Sequence, residues 1–296
     1  MHCLNLKITY NCTNNCPFCF AHHLRNEAIE EKGLFDAVYN GYGNGCRELV
    51  ISGGEPTLLP DTICRLLDYS NQLGYEKYIL QTNGIGLATE EVLVSKLDQL
   101  ALQRDVCVSF SIHGHTQEIH DKMSGRKGAF QSLMKAIANI SVTHCHIYTN
   151  TVISSYNIHH VREIIQLLLP YKPELIQFAM MHLDHPSAIA TGLIETASVL
   201  HTLAELPSNI TDLIKTEGFP YCLMYGMEKC VGESYWPDTL DLYNKDNDYM
   251  LSFSQLESGM RWKAPSCKDC IMNELCAGIW AEHSDEFLQS GIHPIV

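Results

Sequence analysis

The sequence of 296 residues predicts an α/β fold: a partial (β/α)6 TIM-like barrel over residues 1–205, followed by a small appendage over residues 206–296. Three observations predict it. Short apolar, strand-forming runs alternate with amphipathic helical stretches through roughly the first 180 residues. Six such units follow one another, and a parallel connection needs a right-handed crossover. From Leu206 to Pro265 the helical period fades while Tyr, Trp, Asp and Asn rise, which marks a hairpin or loop-rich appendage. Six units are two short of a closed barrel, and an open doubly wound sheet satisfies the same periodicity.

Each unit has its own signature. Leu4 to Tyr10 alternates as a first strand and runs into a cysteine loop, after which Glu27 to Tyr42 carries Ala28, Ile29, Leu34, Phe35 and Val38 on one helical face. Glu48 to Ser52 is an apolar run closed by Gly53-Gly54, and Pro56-Thr57 opens a helix to about Leu73. Tyr78 to Gly84 is a strand with its turn, and Val92, Leu93, Val94, Leu97 and Leu100 mark the next helix. Asp105–Ile112, His144–Ile153 and Leu175–Met181 read as strands four to six, with helices over Phe130–Ile140 and Val161–Leu169 between them. Either sheet geometry puts the functional loops at the strand C-termini, where Cys12 to Cys19, Gly53 to Pro56, Thr82 to Gly84, Ser111 to His115, Asn150-Thr151 and Phe178-Ala179 fall.

With 46% hydrophobic residues the chain can bury a substantial core. A net charge of −14 argues against a nucleic-acid surface, since phosphate binding depends on Lys and Arg. The start, Met1 to Asn5, is no signal peptide, and no window approaches a membrane span. A cytoplasmic protein with no membrane partner is the expectation.

Thirteen cysteines are many for that compartment, and clustering there points to a metal or redox site more than to disulfides. Cys12, Cys16 and Cys19 stand at C-x3-C-x2-C, so that three thiolates can hold three irons of a cubane cluster and leave the fourth open. A structural zinc site completed by His22 or His23 is the alternative. Cys267, Cys270 and Cys276 form a second set, C-x2-C-x5-C, again suited to a cluster or to zinc. Cys222 is the first candidate for its fourth ligand and Cys230 the second; either thiol is also a weak candidate for a redox or hydrogen-donating catalytic group. His113, His115 and His120 lack a recognised metal spacing and read as a loop cap, while His144, Cys145 and His146 alternate on a strand and read as packing.

Cys12-x3-Cys16-x2-Cys19 after the first strand and Gly53-Gly54-Glu55-Pro56 after the second resemble the radical S-adenosylmethionine (SAM) superfamily. The resemblance extends through Gln81 to Gly84, Ser111 to Gly114 with His120-Asp121 and Gly125-Arg126, and Asn150 to Val152. It implies a 4Fe–4S cluster on Cys12, Cys16 and Cys19 whose open iron chelates SAM, and one-electron cleavage to a 5′-deoxyadenosyl radical. Gly53, Gly54, Glu55, Pro56, Thr82 and Asn83 are then expected around the cofactor, the glycines admitting backbone close to it. Ser111 and Asn150 suit its ribose hydroxyls or carboxylate. Arg126 suits a carboxylate or a helix cap, and Phe18 suits the adenine face or plain packing.

The last segment resembles the twitch domain, a shortened relative of the SPASM domain, and implies one auxiliary 4Fe–4S cluster rather than two. By the same resemblance the substrate is a precursor peptide receiving a cross-link, thioether or epimerised residue, with flavodoxin or ferredoxin as reductant. Because the chain begins at its first strand, a separate leader-binding protein is expected to recognise the peptide. A small-molecule dehydrogenase or carbon-skeleton enzyme is the alternative, and a cluster or zinc protein without catalysis a third.

Overall fold

A computed structural model describes residues 2–182, 189–235, 239–243, 260–293 and 295. Eight parallel strands form one sheet: β1 (His2–Thr9), β2 (Glu48–Gly53), β3 (Lys77–Thr82), β4 (Asp105–Ser111), β5 (His146–Val152), β6 (Leu175–Ala179), β7 (Ile214–Glu217) and β8 (Thr239–Tyr243). Their spatial order is β7-β6-β5-β4-β3-β2-β1-β8. That sequential order has none of the reversal of a doubly wound sheet, and β8 pairs with β1 as in a barrel. Among the described residues β7 and β8 do not pair, so the barrel is open between them.

The first six strands lie where the sequence puts them, because one face of each buries apolar residues against the helices. Helices α1 (Glu31–Gly43), α2 (Pro60–Leu73), α3 (Glu91–Ala101), α4 (Gln117–Ser124), α5 (Ala129–Ser141), α6 (Val161–Leu168) and α7 (Leu193–His201) follow the strands. Leu4, Leu6 and Ile8 of β1, Tyr78 and Leu80 of β3, and Val106, Val108 and Phe110 of β4 all enter one core with Leu34, Val38, Ile63, Leu66 and Leu133 of the helices. The alternate positions Asn5, Lys7, Ser109, Ser111, Asn150 and Gln177 are half-buried on the other face. Three of them form one row across the sheet, with Ser111 opposite Asn150 and Asn150 opposite Gln177.

Beyond residue 205, where a hairpin or loop-rich appendage is expected, short strands and single helical turns alternate. After α8 (Ser208–Thr211), β7 and β8 add two further parallel strands to the sheet, which therefore continues across the 205/206 boundary. Each spans four or five residues, and β8 buries Asp241, so neither shows the apolar run of its neighbours. The stretch at Trp236-Pro237 and Lys245 to Asp248 lies outside the described residues. Finally β9 (Arg261–Trp262) and β10 (Ile279–Trp280) pair antiparallel around the second cysteine set, and α9 (Ser284–Gln289) packs Phe287 edge-on against Trp262. Among the described residues no helix is long and apolar enough to cross a membrane.

Candidate functional site

The loop carrying Cys12, Cys16 and Cys19 leaves the C-terminal end of β1 and is held from two sides by backbone. On one side Gly54 N–H donates to the Thr9 carbonyl at 2.7 Å and Glu55 N–H to the Asn11 carbonyl at 2.8 Å. A methyl group on Gly53, whose φ is +134°, would collide with the Thr9 carbonyl, and one on Gly54 with the carbonyls of Tyr10 and Asn11. The close approach these glycines permit is thus to the cysteine loop itself. On the other side the C-terminus of α4 supports the loop: Asn15 N–H donates to the Ser124 carbonyl at 2.8 Å, and Gly125 at φ +62° packs on Asn15. Arg126 donates through Nη1 to the Thr13 carbonyl at 2.9 Å, so its guanidinium braces the loop. The cap of α5 falls instead to Asp121, which accepts from Gly128 N–H at 2.7 Å and Phe130 N–H at 2.9 Å.

Glu55 is fully buried and ties the ends of β2 and β3 together. Its Oε1 accepts from Thr57 N–H (3.1 Å), Thr57 Oγ1 (2.6 Å) and Thr82 Oγ1 (2.6 Å), and its Oε2 from Asn83 N–H (2.7 Å). Burial pushes the carboxyl up while these four donors pull it down. Thr82 is committed to Glu55, and Pro56 is buried in the turn beside it. Asn83 reaches the loop: its Nδ2 donates to Thr13 Oγ1 at 2.9 Å and lies 3.7 Å from Cys12 Sγ. Glu55, Thr82 and Asn83 are therefore one polar network that positions the cysteine loop.

Among the described residues the buried Oδ1 atoms of Asn14 in the loop and Asn150 at the end of β5 have no hydrogen-bond partner. Ser111, across from Asn150, is half-buried. Orphaned buried acceptors are rare, and a ligand's hydroxyl or ammonium donors would satisfy them. Phe18 packs edge-on against His113 at 5.0 Å and joins Met123, Met181 and Ile189 in a small apolar cluster. His113 and His120 act as the expected loop cap: Val152 N–H donates to His113 Nδ1 and His113 N–H to His120 Nδ1. Burial holds both imidazoles down, His113 to about 3 and His120 to about 4, so both are neutral.

The second cysteine set gathers in a small recess lined by Cys222, Cys267, Cys270 and Cys276 with Trp262, Met272, Ile279 and Phe287. Burial and then the charges of Cys276, Cys267 and Cys270 push the Cys222 thiol up to about 12, a mark of four sulfurs close together. Cys230 lies elsewhere, fully buried and directed at the Thr211 carbonyl. The structure thus brings Cys222, and not Cys230, to the set.

Sulfur spacing tests what these sites fit. Among the described residues neither set brings three sulfurs within 4.8 Å of one another. Sulfurs around a single tetrahedral zinc would sit about 3.8 Å apart, given a Zn–S bond of about 2.3 Å. Thiolates are also the ligands of iron–sulfur clusters, which distribute them over several irons. Burial raises Cys12, and raises Cys16 to about 12 with the help of Cys12 and Cys19, a charge that bound iron would offset. Both sets fit iron–sulfur clusters.

Residues 6–168 match the Radical SAM superfamily, over half of the chain. An uncharacterized protein of Methanocaldococcus jannaschii is 25% identical over 75% of this chain and 78% of its own. A PqqA peptide cyclase of Ruegeria pomeroyi is 26% identical over 55% of this chain and 42% of its own. An AdoMet-dependent heme synthase of Methanosarcina barkeri is 30% identical over 54% and 45%. The chain spans less than half the length of the last two. Among solved structures, anSMEcpe with bound AdoMet covers 99% of this chain and 93% of its own at TM-score 0.69 and 16% identity. Streptococcus suis SuiB bound to S-adenosylmethionine covers 99% and 76% at TM-score 0.70 and 15% identity, so the partial-barrel fold is shared. The superfamily uses a 4Fe–4S cluster and SAM, in accord with three thiols on one loop beside orphaned acceptors. By its sequence, its barrel and this loop, the chain belongs to the radical SAM superfamily.

Proposed function

We propose that this radical SAM enzyme matures a ribosomally made peptide, abstracting hydrogen to form a cross-link, thioether or epimerised residue. The observation that supports the reading is that Cys222 lines the same recess as Cys267, Cys270 and Cys276, a second group of thiols besides the three of the loop. Cys12, Cys16 and Cys19 would hold the 4Fe–4S cluster that takes SAM, and the other four cysteines an auxiliary cluster. When bound, the first cluster supplies the electron that cleaves SAM to a 5′-deoxyadenosyl radical, and the auxiliary cluster an electron acceptor or substrate ligand.

The chain's own part is positioning, which hydrogen abstraction demands more than acid–base chemistry. Glu55 and Asn83 set the cysteine loop, Asn14 and Asn150 offer acceptors to the SAM ammonium or ribose, and Ser111 lies beside them. Phe18 shields the site from the side of Met123 and Met181. Similarity to a PqqA peptide cyclase supports a peptide substrate, and the shared fold includes anSMEcpe with a bound Kp18Cys peptide and SuiB with its precursor peptide SuiA. Flavodoxin or ferredoxin is the proposed reductant, and a separate leader-binding protein the proposed partner.

A small-molecule substrate is the second reading, supported by 30% identity to the heme synthase through the barrel. Anaerobic reconstitution with SAM, reductant and peptides encoded beside this gene separates the two. A peptide product about two mass units lighter, or deuterium passing from peptide to 5′-deoxyadenosine, is expected. Turnover of a small molecule with no modification of any peptide refutes the peptide reading.

A further inference from the structure

We propose that His2, Cys46 and Asp241 form a further metal site, for a single zinc ion, at the N-terminal edge of the sheet and remote from both cysteine sets. His2 opens β1, Cys46 stands in the turn before β2, and Asp241 lies in β8 opposite Leu4. His2 Nε2 is 3.0 Å from Asp241 Oδ1, Cys46 Sγ is 3.5 Å from Asp241 Oδ2, and the three ligand atoms all lie within 4.8 Å of one another. Ligand atoms around a tetrahedral zinc stand about 3.3–3.7 Å apart, given bonds of about 2.0–2.3 Å. This is the compact spacing that neither cysteine set has.

The second observation concerns the imidazole. Its Nδ1 lies 3.1 Å from the Asn44 carbonyl oxygen, which only accepts, so Nδ1 carries a proton. In the neutral ring Nε2 then presents a lone pair to a carboxylate oxygen 3.0 Å away, a repulsion that a metal ion or a second ring proton relieves. An Nδ1–H bond to a backbone carbonyl is also the outer-shell contact that fixes a zinc-ligating histidine. Cys46 and Asp241 are both buried, and their two negative charges neutralise a divalent ion where an unpaired charge is costly. One sulfur, one nitrogen and one carboxylate oxygen suit zinc better than the all-oxygen preference of magnesium or calcium. A groove lined by Tyr42, Gly43, Asn44, Asp241 and Tyr243 gives an entry path and access for water as a fourth ligand. Binding displaces the Cys46 thiol proton to solvent and moves no electron. The ion would staple β8 to β1 and to the α1–β2 turn, joining residues 195 and 239 positions apart.

The test uses enzyme with its iron sites reconstituted, incubated anaerobically with one equivalent of Zn2+, gel-filtered and counted for metals by mass spectrometry. About one zinc per chain is expected in the unmodified enzyme, and under about 0.2 in Cys46→Ser and Asp241→Asn with iron unchanged. Zinc K-edge absorption of the unmodified enzyme should show one sulfur and two or three nitrogen or oxygen neighbours, which decides the matter even if a variant fails to fold. Three or four sulfurs would place the ion on the cluster cysteines and overturn the site. So would the absence of retained zinc, which would leave an imidazolium–carboxylate pair only, or zinc retained in full by Cys46→Ser.

Discussion

Replacing Glu55 by Gln removes one charge and exchanges one acceptor for a donor in a fully buried place. The side chain accepts four hydrogen bonds, three on Oε1 and one on Oε2. The least damaging orientation keeps the amide oxygen on the three donors and sets the new NH2 against Asn83 N–H. Stranding that buried N–H costs about 1–3 kcal/mol, and bonds to a neutral acceptor are roughly half as strong as those to a charged one. Relief of charge burial, which pushes the carboxyl up, offsets part of this. A net loss of about 3 kcal/mol follows, a large share of a typical 5–15 kcal/mol. With a urea slope of about 3 kcal/mol per molar, the apparent midpoint followed by far-UV circular dichroism should fall by about 1 M. SAM cleavage should fall with it, because Asn83 hangs from Glu55 and touches Thr13 and Cys12. A midpoint within about 0.2 M of the unmodified enzyme, with full SAM cleavage, refutes the network as the loop's support.

Cys222→Ala should lose about four irons per chain while Cys230→Ala keeps them, read by iron analysis on reconstituted enzyme. Asn150→Ala removes an orphaned acceptor and no protein hydrogen bond; the melting temperature should stay within about 2 °C while SAM binding by calorimetry weakens about tenfold. His113 and His120 have folded-state pKa values near 3 and 4, below the unfolded value of about 6.5. Stability is therefore full above about pH 6.5 and falls as pH drops toward 4, by about 2 kcal/mol per ring at pH 5. Gln at both positions should flatten the melting-temperature profile between about pH 5 and 7, and an unchanged slope would refute the assignment.

The first six strands were legible because their helix-facing positions are apolar at every second residue, between turn signals. β7 and β8 were not, since four or five residues containing Lys215 or Asp241 carry no apolar run and take their place from β6 and β1. The cysteine loop was legible from its spacing taken together with Gly53 to Pro56 after the next strand. Roles that depend on distant partners were hidden: Arg126 meets a carbonyl 113 positions away, and Glu55 meets donors 27 and 28 positions on. Cys222 and Cys230 differ little in sequence, and only the recess around Cys267, Cys270 and Cys276 separates them. Lys7, half-buried on the inner face of β1, gave no signal, yet burial lowers its affinity for a proton.

The bracing of the cysteine loop bears on the order in which the holoenzyme is made. Its supports, Gly54 and Glu55 at the end of β2 and Ser124 to Arg126 at the end of α4, meet the loop only after β1 to β4 have assembled. A nascent chain that has emerged only as far as Cys19 holds the loop's three thiols, and Cys3, on an unshaped segment open to oxidation or to stray zinc. The loop consequently takes its braced shape only in a folded barrel, and three thiolates presented at fixed positions depend on that fold.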